Sequence, residues 1–119
     1  MTLTEYKVEA TFQAEAIYSS RLGTGALVAS GKHAQLADPD DWFSFSIRSN
    51  SMTYPFPVIC VEGTVHSVPS QGAMNTLVAL VLDRKNELYQ QHAVCVRDIN
   101  SAVDEAGVDT ALATYRATS

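Results

Sequence analysis

The sequence predicts an α+β fold, an antiparallel multi-stranded sheet followed by two C-terminal helices, within a single domain over residues 1–119. Three features predict it. Period-two alternation and turn residues occupy the first half of the chain, a compact apolar run follows at 76–82, and three- and four-residue apolar spacing begins only near residue 88. No alternation of strand and helix units occurs, so an antiparallel layout is the expected one.

Taking the elements in order, Tyr6, Val8, Ala10 and Phe12 alternate with polar neighbours and predict a strand over 4–12. Ser19 to Gly25 reads as a loop, its glycines able to supply positive φ. A short strand is expected over 26–30, with a bend at Gly31–Lys32 and a possible continuation over 34–36. Asp38-Pro39-Asp40-Asp41 is a turn, because proline fixes φ and the aspartates can accept from nearby amides.

Residues 42–68 form the centre of the pattern. In the first arm Phe43, Phe45 and Ile47 alternate with Ser44, Ser46 and Arg48. In the second, Ile59, Val61 and Val65 share one face with Gly63, and Cys60, Glu62, Thr64 and His66 share the other. Between the arms, Pro55 and Pro57 cannot donate to a ladder and should lie outside regular pairing. Pro69 to Gly72 is a further turn, Thr76 to Leu82 a buried strand, and Asp83 to Asn86 its end. From Leu88, the stripe Val96, Ile99, Val103 and Ala106 predicts a helix stopped by Gly107. A second helix is expected over 108–116.

A hydrophobic content of 46 % with 18 % charged residues argues against wholesale disorder. The net charge of −5 offers no general attraction to nucleic acid or anionic membrane, so any contact with nucleic acid must be local. No apolar run approaches the ~20 residues of a membrane span. The N-terminus lacks the pattern of a secretion signal, which predicts synthesis in the cytosol. Cys60 and Cys95 have neither CxxC nor His-rich spacing and are expected to be unpaired buried thiols. No metal or cofactor is expected.

Catalytic motifs are thin. His33, His66 and His92 lie in no motif that supplies a nucleophile. Gly23 and Gly25 form a GxG without a third glycine, and the acidic turn lacks calcium-loop spacing. The face carrying Ser44, Ser46 and Arg48, with Thr64 and His66 if the register brings them alongside, suits hydrogen bonding to phosphates or unpaired bases. A merely solvated polar face is the alternative, and Glu62 would repel phosphate at close range.

The run FSFSIRSNS, then VICVEGTVHSV, then TLVALVL and two helices split at an acidic-glycine turn resembles the coat proteins of single-stranded RNA bacteriophages. The resemblance is clearest from Leu36 to Ser119, and its most specific piece is SFSIRS. It implies a sheet opening with an N-terminal hairpin and ending in two helices that cross a partner's sheet in an intertwined homodimer. Such dimers build an icosahedral shell around single-stranded RNA, located in the virion after assembly in the host cytoplasm. On this resemblance Ser44, Ser46 and Arg48, with Thr64 and His66, would face RNA. Phe43, Phe45, Ile47, Ile59, Val61 and Val65 would be covered by partner helices bearing Val96, Ile99, Val103 and Leu112. The apolar run Val78 to Leu82 departs from the family, offering no tyrosine or asparagine to a base. Two other classes compete: a small hotdog-like thioesterase, dehydratase or ligand-binding protein, and a phage tail or neck component. The late position of the expected helices counts against the hotdog layout.

Overall fold

The computed structural model describes residues 1–36, 42, 45 and 47–118. The expected turn at 38–41, and Phe43, Ser44 and Ser46, lie outside the described residues. The fold is α+β, with helix α1 (Leu3–Thr24), strands β1 (Ala26–Ala29) and β2 (Lys32–Ala34), a 3-10 turn (Ser49–Ser51), and strands β3 (Phe56–Ile59) and β4 (Val65–Val68). Helices α2 (Gln71–Ser101) and α3 (Glu105–Ala117) follow. The chain divides into two compact units, one of residues 1–21 with 87–119 and one of residues 22–86.

The first unit is helical. The N-terminal strand expected at 4–12 is instead part of α1, and the reason lies in the pattern that suggested it. Tyr6 and Ala10 are four residues apart and face the core with Ala14, whereas Val8 and Phe12, also four apart, stay exposed. Two interleaved helical stripes therefore imitate a single alternating one. Thr2 and Glu5 decide the matter locally. Thr2 Oγ1 accepts from Glu5 N–H at 3.1 Å, and Glu5 Oε1 accepts from Thr2 N–H at 3.3 Å. That is a capping box at the helix start. The helix continues through Gly23, so no loop begins at Ser19.

Ala10 and Ala14 pack with Cys95 and Ile99 of α2 and with Val108, Leu112 and Tyr115 of α3. Arg21 ties α1 to the chain's end: its guanidinium donates to the carbonyls of Tyr115 and Thr118 at 2.9 and 2.7 Å and lies 4.6 Å from the Tyr115 ring centroid. The break between α2 and α3 falls at 102–104, before Gly107. Asp104 is the N-cap of α3, accepting from Gly107 N–H at 2.8 Å, so Gly107 starts a helix rather than stopping one.

In the second unit each pair of strands forms an antiparallel hairpin. An isolated bridge between Ala34 and Cys60 joins the two hairpins. Pro57 does lie inside β3, opposite Ser67. The bond from Cys60 N–H to the Thr64 carbonyl sets the alternation of the ladder and puts Pro57 at a non-hydrogen-bonded position, where no donor is needed. The apolar run at 76–82 is helical rather than a strand. Met74, Leu77, Val78 and Val81 are buried at steps of three, one and three, whereas Leu80 is exposed. Ser70 begins this helix, its hydroxyl accepting from Ala73 N–H at 3.2 Å. Residues 42, 45, 47 and 48 are helical too, which replaces the strand expected there. Trp42 is buried and donates to the Gln35 carbonyl, and its ring meets Phe45, which in turn meets Phe56 edge-on. Among the described residues no helix is long and apolar enough to cross a membrane. Cys60 and Cys95 are buried and free, as expected.

Candidate interaction surface

The joined hairpins have an inner and an outer face. Ala26, Ala34, Val58, Cys60 and Val68 are buried on the inner one. Register puts the opposite set outside: Leu27 stands across from His33, and Ile59 across from Val65. Val61 joins them through its N–H, which donates to the His33 carbonyl at 2.8 Å. Leu27 is 60 % exposed, Ile59 65 %, Val65 50 % and Val61 42 %. Four aliphatic side chains on adjoining strands thus face solvent on one surface, a grouping that marks an interaction site more often than scattered exposed residues do.

A polar clasp holds this surface together. Glu62 Oε1 accepts from His33 N–H at 2.8 Å, and Glu62 Oε2 lies 2.6 Å from His33 Nδ1. Lys32 Nζ donates to the Val65 carbonyl at 2.8 Å. The His33 amide holds the Glu62 carboxyl below its usual range, and the imidazole bond lowers it further. A depressed carboxylate contributes stability above its unfolded value of ~4.3 and loses that contribution as pH falls through the lower folded value. The stability advantage of the native chain over Glu62→Gln is therefore expected to shrink on acidification through that window, in denaturant melts at a series of pH values. A constant difference between the two would contradict the clasp.

Tight backbone at Gly25 positions β1 under Val61. Gly25 has φ +76°, and a Cβ there would sit 2.5 Å from the Ala34 carbonyl oxygen and 2.9 Å from Val61 Cγ2. Gly31 and Gly63, also at positive φ, have open space around them.

Of the residues expected to face RNA, the described ones do not share one strand face. Arg48 is exposed at a helical position, and Thr64 is exposed in the turn before β4. His66 is half-buried opposite Val58, on the inner side. Ser44 and Ser46 lie outside the described residues. Of the residues expected at a dimer interface, Ile47, Ile59, Val61, Val65 and Val103 are exposed, Phe45 and Val96 are half-buried, and Phe43 lies outside the described residues. Ile99 and Leu112 are buried in the chain's own helical core.

Neither the exposure of Leu27 nor the pairing of His33 with Glu62 is legible in the sequence. ALVA is apolar throughout, so it carries no alternation to assign Leu27 to a face, and the clasp depends on a contact between segments 29 residues apart. Among the described residues no three His, Cys, Asp or Glu side chains gather closely enough to hold a metal ion. Comparison with models of protein families, with curated proteins and with solved structures gives no match.

Proposed function

We propose that the chain is a structural subunit that pairs with a second copy through the outer face of its hairpins and assembles further into a shell, as a coat protein of a single-stranded RNA phage does. The observation that carries this reading is the exposed aliphatic surface of Leu27, Ile59, Val61 and Val65. A face of this kind loses its cost in water when a partner covers it. Val103, exposed at the junction of α2 and α3, is available to contribute to such cover, and half-buried Val96 can do so in part. The intertwined arrangement belongs to this proposal in a reduced form, since Ile99 and Leu112 serve the chain's own core.

Expressed protein is expected to form particles of virus-like size in electron micrographs, containing RNA. A homogeneous monomer under mild buffer conditions would sink the reading. The enclosed RNA is held by local contacts, Arg48 foremost, because the net charge of −5 supplies no general attraction. Arg48→Ala is expected to lower the RNA content of purified particles, read from absorbance ratio, without changing their size. Unchanged RNA content removes Arg48 from the contact.

A further inference from the structure

His33 stands within the aliphatic surface of the hairpins rather than beside it. It pairs across from outward-facing Leu27 of β1, so its imidazole projects to the same side. On its other flank the Val61 N–H donates to its carbonyl. Glu62 meets it twice, at the His33 N–H and at Nδ1. The two side chains keep 35 % and 34 % of their surface exposed, and a copy seated on Leu27 and Val61 covers that remainder too. Few other groups on the adjoining strands bear on the charge at this spot. β1 and β3 contain no titratable side chain. Lys32 of β2 turns its ammonium to the Val65 carbonyl, His66 of β4 stands opposite Val58 on the inner side, and the Cys60 thiol is buried.

We infer that the protonation state of His33 regulates pairing through the hairpin face, which is tightest when a charged imidazole neutralises Glu62. The inference rests on the proposed pairing of two copies and names what controls it. Imidazole is the side chain whose charge ordinarily changes between about pH 5 and 8. With His33 protonated, the pair carries no net charge; with His33 neutral, the Glu62 carboxylate stands alone. Covering a lone carboxylate costs more than covering one matched by a cation at 2.6 Å. Pairing therefore takes up protons at His33. By linkage, association weakens as pH rises through the imidazole range. Proton-controlled interfaces of this kind place a histidine where its charge decides between two states.

The test is sedimentation of the full chain at constant ionic strength, with circular dichroism to check the fold of each variant. The concentration at which half of the native chain is associated is expected to rise about tenfold from about pH 6 to about pH 8, one pKa unit being a factor of ten. His33→Gln removes that change, and His66→Gln keeps it. Glu62→Gln reverses it, because glutamine retains an oxygen for the His33 N–H while the protonated imidazole becomes an unmatched charge. Repulsion between copies of net charge −5 also eases in acid, but it favours association at low pH in every variant and produces no reversal. A native chain insensitive to pH overturns the inference, as does a slope that survives His33→Gln, vanishes in His66→Gln or fails to reverse in Glu62→Gln. Each of those results leaves pairing itself in place. A chain that is monomeric at every pH overturns the pairing and the inference together, so the two readings fail distinguishably.

Discussion

Chains carrying Ile59→Lys and Val65→Lys are expected to form no particles while keeping native helix content. The two residues face each other across β3 and β4 at a non-hydrogen-bonded position, where opposed side chains approach most closely. Both point to solvent in the single chain, so lysine creates no buried charge and the fold is retained. In an associated state the same positions would be buried. Covering Leu27, Ile59, Val61 and Val65 contributes roughly 3–6 kcal/mol per chain at the transfer value for partly exposed aliphatic side chains. Doubled over two chains, that is comparable with the ~4–15 kcal/mol cost of association. Two desolvated lysines per chain exceed that balance. Electron microscopy and circular dichroism read the two halves of the prediction, and particles that persist would move the contact elsewhere.

Gly25→Ala is expected to destabilise the protein by about 3 kcal/mol, from a left-handed backbone cost of ~1–2 kcal/mol and a steric cost of ~1–3 kcal/mol. The steric part arises because the nearest atom to the new Cβ is the Ala34 backbone oxygen, at 2.5 Å, which cannot swing aside as a side-chain tip could. Gly63→Ala supplies the comparison. It has the same sign of φ with nothing within 4 Å, so only the backbone cost of ~1–2 kcal/mol applies. Urea midpoints measure the difference, and equal losses at the two glycines would contradict the close approach of β1 to β2 and Val61.

Hydrophobic periodicity disclosed the fold class, β1 and the C-terminal helical pair, whereas the second arm, expected as one strand, is a hairpin of β3 and β4 turned between Cys60 and Thr64. Among the segments it misassigned, two have an identifiable reason. At 4–12 the two stripes of α1 interleave into an apparent strand, and the Thr2–Glu5 cap, which argues for helix, sits at the edge of the window. At 76–82 a run apolar at most positions has no period of its own, and the helix was marked instead by Ser70 in front of it. Parity along β3 and β4 was legible, because Ile59 and Val65 do share a face. Which face the chain covers for itself was not, since period two separates two sides without naming the inner one. Cys60 lies on the buried side with Val58 and Val68.

Cover of the hairpin face by a second copy is the contact on which the proposed assembly depends. Sedimentation of the native chain at micromolar concentration tests it most directly. Dimers and larger species, reduced by Ile59→Lys with Val65→Lys, are the predicted result. A native chain that sediments as a monomer, with the same mass as the lysine variant, would contradict it.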